Sequence, residues 1–258
     1  MNTDFLSEIF KSISFNCLPA CADPPAGRAG RRLRCAGHIF VVSVVVFCLF
    51  SNATAQLKAP KSEFVLARLK YHGGGDWYND PSIIPNLLNF MTDHTSIDVG
   101  SEEVVVEIMD QDLFSYPIIF MTGHGRISFS KEEAARLRLY LASGGFLFAD
   151  DDYGMDKSFR QEIKKVFPEF DLVEIPFSHP IFHCHFDFPN GLPKTHEHDG
   201  GPPHGYGLFY EGRLVVFYSF NTNVSDGWAD PNVHGDPPEV RQKAFEMGAN
   251  IMVYALTN

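Results

Sequence analysis

Phe146-Leu147-Phe148-Ala149-Asp150-Asp151-Asp152-Tyr153-Gly154 is an apolar run that stops abruptly at three consecutive carboxylates and a turn. A short, wholly apolar segment of this kind reads as a strand buried on both faces, the pattern of a parallel sheet covered by helices. In an open α/β sheet, ligands bind outside the carboxyl ends of the strands. The stretch therefore predicts a fold class and marks the place where a site is expected.

Working outward, Gly144-Gly145 ends a helix that Ser130-Lys131-Glu132-Glu133 opens as a capping box, with Ala134, Leu137 and Leu141 at helical spacing between them. Tyr116 to Met121 reads as the preceding strand, running into the glycine-flanked loop Thr122-Gly123-His124-Gly125-Arg126. Val104-Val105-Val106 reads as another strand. Before it, Asp80-Pro81 reads as a helix N-cap and first turn, followed by Ile84, Leu87, Leu88 and Met91. The first strand spans Phe64 to Tyr71 and enters His72-Gly73-Gly74-Gly75-Asp76-Trp77.

Downstream of the carboxylates, Asp156 is expected to cap a helix carrying Ile163, Val166 and Phe167, ended by Pro168. Pro176 to Asp199 is rich in His, Phe and Pro and shows little periodicity. Gly205–Tyr210 and Arg213–Phe220 flank Glu211-Gly212, a two-residue connection suited to a hairpin. Val240, Ala244, Met247, Ile251 and Tyr254 mark a final amphipathic helix. The alternation predicts an α/β fold: a flavodoxin-like, doubly wound, mostly parallel sheet with an antiparallel C-terminal hairpin.

The amino terminus is of another texture. Arg31-Arg32-Leu33-Arg34 precedes the apolar run Ile39 to Phe50, and Ala53-Thr54-Ala55 supplies small residues of the kind a signal peptidase reads. The run is shorter than the roughly 20 residues that span a bilayer, so the expectation is an exported, periplasmic or secreted protein cleaved before Gln56. The alternative is an uncleaved N-terminal membrane anchor. Residues 1–55 are thus set apart as extension and signal peptide, and 56–258 as one domain. Residues 1–30 precede the charged region, as an over-extended reading frame or a disordered extension would. Cys17, Cys21, Cys35 and Cys48 lie in the leader and Cys184 alone in the domain, which excludes an internal disulfide there. The formal net charge is −11, and the leader is itself basic, so the domain is more acidic still. No basic patch offers itself to phosphates, and no nucleic-acid partner is expected.

Three motifs, Arg68-Leu69-Lys70-Tyr71-His72-Gly73-Gly74-Gly75-Asp76-Trp77, Met121-Thr122-Gly123-His124-Gly125 and Ala149-Asp150-Asp151-Asp152-Tyr153-Gly154, resemble the bacterial domain-of-unknown-function 4159 family, and the likeness covers Phe64 to Leu256. The resemblance implies a flavodoxin-like fold related to the class I glutamine amidotransferase-like superfamily, with no established activity. In that superfamily, the strand after a Gly-Gly turn delivers a nucleophile, often a cysteine, on a tight elbow. Asp150, Asp151 and Asp152 fill that position here. With no Cys or Ser at the turn, amidotransferase or esterase chemistry has no basis.

Three adjacent carboxylates cannot all be buried and ionised without compensation. Capping of the next helix accounts for one, and at least one other is expected to face the crevice and hold a cation or polar ligand. His124 and Arg126 are expected beside them, paired with Asp150 or Asp151. Asp76, Trp77 and Tyr78 from the glycine loop, with Tyr153, complete a polar and aromatic wall suited to a sugar or peptide. Trp228, between Asp226 and Asp230, could line the crevice or cover the sheet. The glycine loop lacks the spacing and the Lys-Ser/Thr end of a phosphate loop.

His179, His183, His185, His196, His198 and His204 crowd one segment. On a strand, His183 and His185 would share a face and could ligate a divalent metal, with Asp150, Asp151 or Asp199 completing the shell; the competing reading is ordinary structural hydrogen bonding. Cys184 between them reads as a buried, inert thiol rather than a nucleophile. Three functions compete: binding of a small polar or carbohydrate ligand, a metal-dependent hydrolase using a His/Asp site, and a structural partner in an envelope complex.

Overall fold

The computed structural model describes residues 63–196 and 200–258. The leader and Glu197-His198-Asp199 lie outside the described residues, so the expectations that fall on them have no structural counterpart below. The described residues belong to a unit that runs Ala59–Asn258. None of their helices is long and apolar enough to cross a membrane.

The elements alternate as the sequence predicts. β1 (Ala67–Lys70) is followed by α1 (Ile83–His94), β2 (Val104–Glu107) and β3 (Ile118–Met121). Then come α2 (Lys131–Ala142), β4 (Phe146–Asp150) and α3 (Asp156–Val166). The chain finishes with β5 (Val173–Glu174), β6 (His204–Tyr210), β7 (Arg213–Phe220) and α4 (Pro238–Thr257). Short 3-10 turns occupy Leu113–Ser115, Pro180–Phe182 and Val224–Trp228.

The seven strands form one sheet in the order β2-β1-β3-β4-β7-β6-β5. β2, β1, β3, β4 and β7 are mutually parallel where they pair, while β6 runs antiparallel to β7 and β5 antiparallel to β6. This is a flavodoxin-like arrangement. The chain steps from β1 outward to β2 and then back across β1 to β3, so the topological switch point lies between the carboxyl ends of β1 and β3.

Side-chain alternation in the central strands divides the core into two layers. Phe120, Phe146, Phe148 and Phe217 face α1, α4 and the buried Trp228, whereas Met121, Leu147, Ala149 and Tyr218 face α2 and α3. Trp228 covers the sheet from within the core and donates Nε1–H to the Ala244 carbonyl at 2.9 Å, so it does not line the crevice. The capping box is complete: Ser130 Oγ accepts from the Glu133 N–H, and the Glu133 carboxylate accepts from the Ser130 N–H. The hairpin is also as expected, with Glu211 and Gly212 both in the left-handed region (φ 51° and 82°) that a type I′ turn requires.

Two boundaries differ for an identifiable reason. Asp80 is not the cap of α1, because Ser82 precedes the first helical residue and Asp80 itself sits at φ 46° with its side chain turned elsewhere. Asp156 is the first residue of α3 rather than its cap, and the Asp151 carboxylate accepts the Met155 N–H instead.

Candidate functional site

Two loops close against each other at the switch point. The glycine loop after β1 and the loop after β3 are zipped by backbone bonds, Gly75 N–H to the Arg126 carbonyl at 3.0 Å and Asp76 N–H to the His124 carbonyl at 3.3 Å. Such an approach needs glycine. Gly73 lies at φ 121°, and a Cβ there would stand 2.6 Å from the Arg126 carbonyl.

The consequence is a fixed imidazole. The Asp76 carboxylate accepts the His124 backbone N–H at 2.5 Å and lies 3.1 Å from His124 Nδ1. On its other side, Asp152 Oδ2 lies 3.2 Å from the same Nδ1. The His124 side chain is half exposed (50%), and among the described residues its Nε2 has no partner. A half-exposed ring with one nitrogen held between two carboxyl groups has the form of a positioned ligand-binding or acid–base histidine.

Strand periodicity explains where the three carboxylates go. Asp150, still in β4, lies on the Phe148 face, fully buried. There it accepts from Ser219 Oγ–H at 2.5 Å and from the Val224 and Ser225 N–H groups at 3.3 and 2.6 Å. It thereby anchors the 3-10 turn Val224–Trp228. Burial pushes its pKa up, and these hydrogen bonds oppose the rise. Asp151 turns to the other face and caps α3 through Met155; burial lifts its carboxyl to about 6, against that hydrogen bond. Asp152 is the one that turns to the crevice.

Asp152 is 2% exposed and shared among three loops. Asn79 Nδ2 donates to its Oδ2, Asn223 Nδ2 donates to its Oδ1 at 2.8 Å and to its backbone carbonyl at 2.7 Å, and His124 sits beside it. Burial raises its pKa well above the usual carboxylate range; Asp226 adds to this and the nearby His124 opposes it. Asp226, 4% exposed, is raised for the same first reason. Neighbouring residues carry unusual backbone: Asp80 (φ 46°), Tyr153 (φ 146°) and Asn223 (φ 49°) are all at positive φ. Such conformations in non-glycine residues cost about 1–3 kcal/mol each and gather at functional sites.

Arg68 was not singled out by the sequence reading, yet it shapes the first loop. It is 1% exposed in β1, pairs with Glu103 at 3.0 Å, and donates to the carbonyls of Trp77, Asn79 and Asp80 at 3.3, 3.0 and 3.4 Å. A charged residue inside an apolar strand, Ala67-Arg68-Leu69, was the available signal. Asn79, Asn223, Asp226 and His234 were also missed as site residues, because only the folded chain brings them to Asp152.

The structure brings together His124, Asp76 and Asp152, with Tyr153 bridging His124 through the backbone. It does not bring Arg126 to the carboxylates: Arg126 is exposed, and among the described residues no ion pair involves it. The expected pairing of His124 and Arg126 with Asp150 or Asp151 is thus corrected to His124 with Asp76 and Asp152, since Asp150 and Asp151 are each consumed by backbone donors. Trp77 packs partly into the core, under Lys70 at 6.0 Å, while Tyr78 and Tyr153 are exposed.

His183 and His185 do not assemble a metal shell. The segment is not a strand; His183 contacts Asp187 and the Phe177 carbonyl, and His185 the His94 carbonyl. Among the described residues, the group of His, Asp and Glu ligand atoms close enough to share an ion is Asp80, Asp226 and His234. Cys184 is exposed rather than buried as expected; its Sγ–H donates to the Asn250 carbonyl at 3.2 Å and desolvation raises its pKa, which disfavours the thiolate a nucleophile needs.

The pH dependence of folding tests this burial. Asp151 binds a proton more tightly in the folded than in the unfolded chain, between its ordinary 3.8 and about 6. Its contribution is therefore fully present below pH 4 and declines as pH rises to 6, by at most about 3 kcal/mol at ~1.4 kcal/mol per pH unit. Asp151→Asn keeps an acceptor for Met155 and removes the proton. Urea unfolding from pH 4 to 6 should show a shallower decline in the variant, whereas identical pH slopes would contradict a raised Asp151 pKa.

No curated protein matches the chain. Residues 65–256 match the family described as Domain of unknown function (DUF4159), and the chain belongs to that family.

Proposed function

We propose that the domain binds a small polar ligand of the carbohydrate class at the carboxyl edge of the sheet, between the loops after β1 and β3. The observation that carries this reading is His124, whose Nδ1 is bracketed by Asp76 and Asp152 at 3.1 and 3.2 Å on a side chain left half exposed at the switch point. That arrangement fixes the ring and offers one nitrogen to a ligand hydroxyl or carbonyl. Tyr78 and Tyr153, 65% and 50% exposed, supply flat apolar faces of the kind that pack against a sugar ring.

Kinship with the class I glutamine amidotransferase-like superfamily is part of this proposal. It is supported by the β2-β1-β3-β4 strand order and by a strand-to-helix elbow after β4 that contains a strained residue. The strained residue is Tyr153, so the elbow persists without a cysteine or serine. Binding rather than acyl transfer follows from that difference. A hydrolase built on His183 and His185 is not carried forward, since both rings have other partners. Export is likewise proposed, on the leader Arg31–Arg34, Ile39–Phe50 and Ala53-Thr54-Ala55, and amino-terminal sequencing of the protein should begin at Gln56; a sequence retaining the leader would contradict cleavage.

Ligand binding is tested by heteronuclear NMR of the imidazole resonances during titration with neutral mono- and disaccharides. The expected result is a saturable shift at His124 with at least one saccharide, weakened tenfold or more in Asp76→Asn. Unmoved His124 resonances across the set, as a scaffold contact in an envelope complex would give, would overturn the reading.

A further inference from the structure

We propose that Asp80, Asp226 and His234 form a binding site for one divalent transition-metal cation, with Zn²⁺ the best match. His234 Nε2 lies 3.0 Å from Asp80 Oδ2 and 3.8 Å from Asp226 Oδ1. A tetrahedral zinc with ligands at about 2.0–2.1 Å separates its donor atoms by roughly 3.3 Å, a value that these two distances bracket. The group is also sheltered, with side-chain exposures of 16%, 4% and 22% for Asp80, Asp226 and His234.

Each ligand is positioned by something other than the cation. Asp226 Oδ2 accepts from Asn223 Nδ2 at 3.1 Å, leaving Oδ1 toward His234. Asp80 is held at φ 46° in the segment whose carbonyls Arg68 gathers. Side chains that would collapse onto solvent in a simple surface cluster are thus fixed facing one another.

A second observation points to a ligand. Asp236, two residues beyond His234, is 9% exposed; its Oδ1 lies 3.9 Å from His196 Nδ1, and its Oδ2 is buried with no hydrogen-bond partner. The His196 and His234 rings are 5.9 Å apart, so Asp236 is connected to the group through His196. Among the described residues, the ion-pair partners of Asp80, Asp226 and Asp236 are histidines alone. Buried carboxylates without Lys or Arg partners are costly unless they coordinate a metal. One imidazole nitrogen among carboxylate oxygens selects Zn²⁺ or Mn²⁺ over Mg²⁺ and Ca²⁺, which take oxygen shells.

This site uses different ligands from the His124 pocket and does not rest on saccharide binding there. Calorimetric titration of the chelator-treated full chain with Zn²⁺, and with Mg²⁺ for comparison, tests it. The expected result is one Zn²⁺ per chain, a rise in Tm on addition, and little response to Mg²⁺. Asp226→Asn and His234→Ala should each weaken binding tenfold or more and lose the Tm rise. Asp226→Asn keeps the size of the side chain and an oxygen that accepts from Asn223, so its metal-free Tm should stay close to that of the wild type. His183→Ala/His185→Ala should bind within about twofold of the wild type. Absence of stoichiometric binding, wild-type affinity in both Asp226→Asn and His234→Ala, or loss of binding on removing His183 and His185 would overturn the proposal.

Discussion

A buried carboxyl group needs hydrogen-bond donors, and β4 ends in three of them. That requirement organises the carboxyl edge of the sheet. Asp150 draws in the start of the Val224–Trp228 turn, Asp151 the start of α3, and Asp152 the side chains of Asn79, Asn223 and His124. Removing a donor from such a carboxyl group leaves a buried polar atom unsatisfied, at about 1–3 kcal/mol. Three such anchors within one turn hold the glycine loop, the elbow and the late loop in a single arrangement. The alternation of a strand makes this possible, since it sends Asp150 and Asp151 to opposite faces and leaves Asp152 for the crevice.

Much of the fold was legible because its signals are local. The buried strand Phe146–Ala149, the Ser130/Glu133 capping box, the Glu211-Gly212 hairpin and the helical spacing of Ile84, Leu87, Leu88 and Met91 each depend on residues a few positions apart. The site was legible only in part. Asp76, His124 and Asp152 could be named from their places after strands, but their contacts are long-range, with 48 positions separating His124 from Asp76. Asp226 and His234 meet Asp80 across the whole domain, 154 positions apart for His234, and no local pattern announces that. Asp80 looked like a helix cap because Asp-Pro usually is one. Its left-handed backbone, held by Arg68 through the carbonyls of the loop, turns it to other use. His183 and His185 would share a face only on a strand; the segment is not one, and the rings make the ordinary hydrogen bonds that were the competing reading.

Strain and fold point to the same place. The positive-φ residues Asp80, Tyr153 and Asn223 belong to three separate segments yet surround one carboxyl group. The surrounding contacts, Arg68 with the loop carbonyls and Asn223 with Asp152 and Asp226, are what hold them there. Membership of the DUF4159 family covers residues 65–256 without giving them a chemistry, and a fold alone cannot supply one. Function therefore rests on the histidine and the carboxyl groups that fix it.

The tautomer of His124 tests that account most directly, because the Asp76 carboxylate at Nδ1 stabilises a proton there and leaves Nε2 as the open acceptor. Long-range ¹⁵N–¹H correlation spectra of neutral His124 report which nitrogen carries the proton. The account predicts the Nδ1–H form in the wild type and a shift toward a mixture of tautomers in Asp76→Asn. A neutral ring protonated at Nε2, or a tautomer ratio indifferent to Asp76, would contradict it.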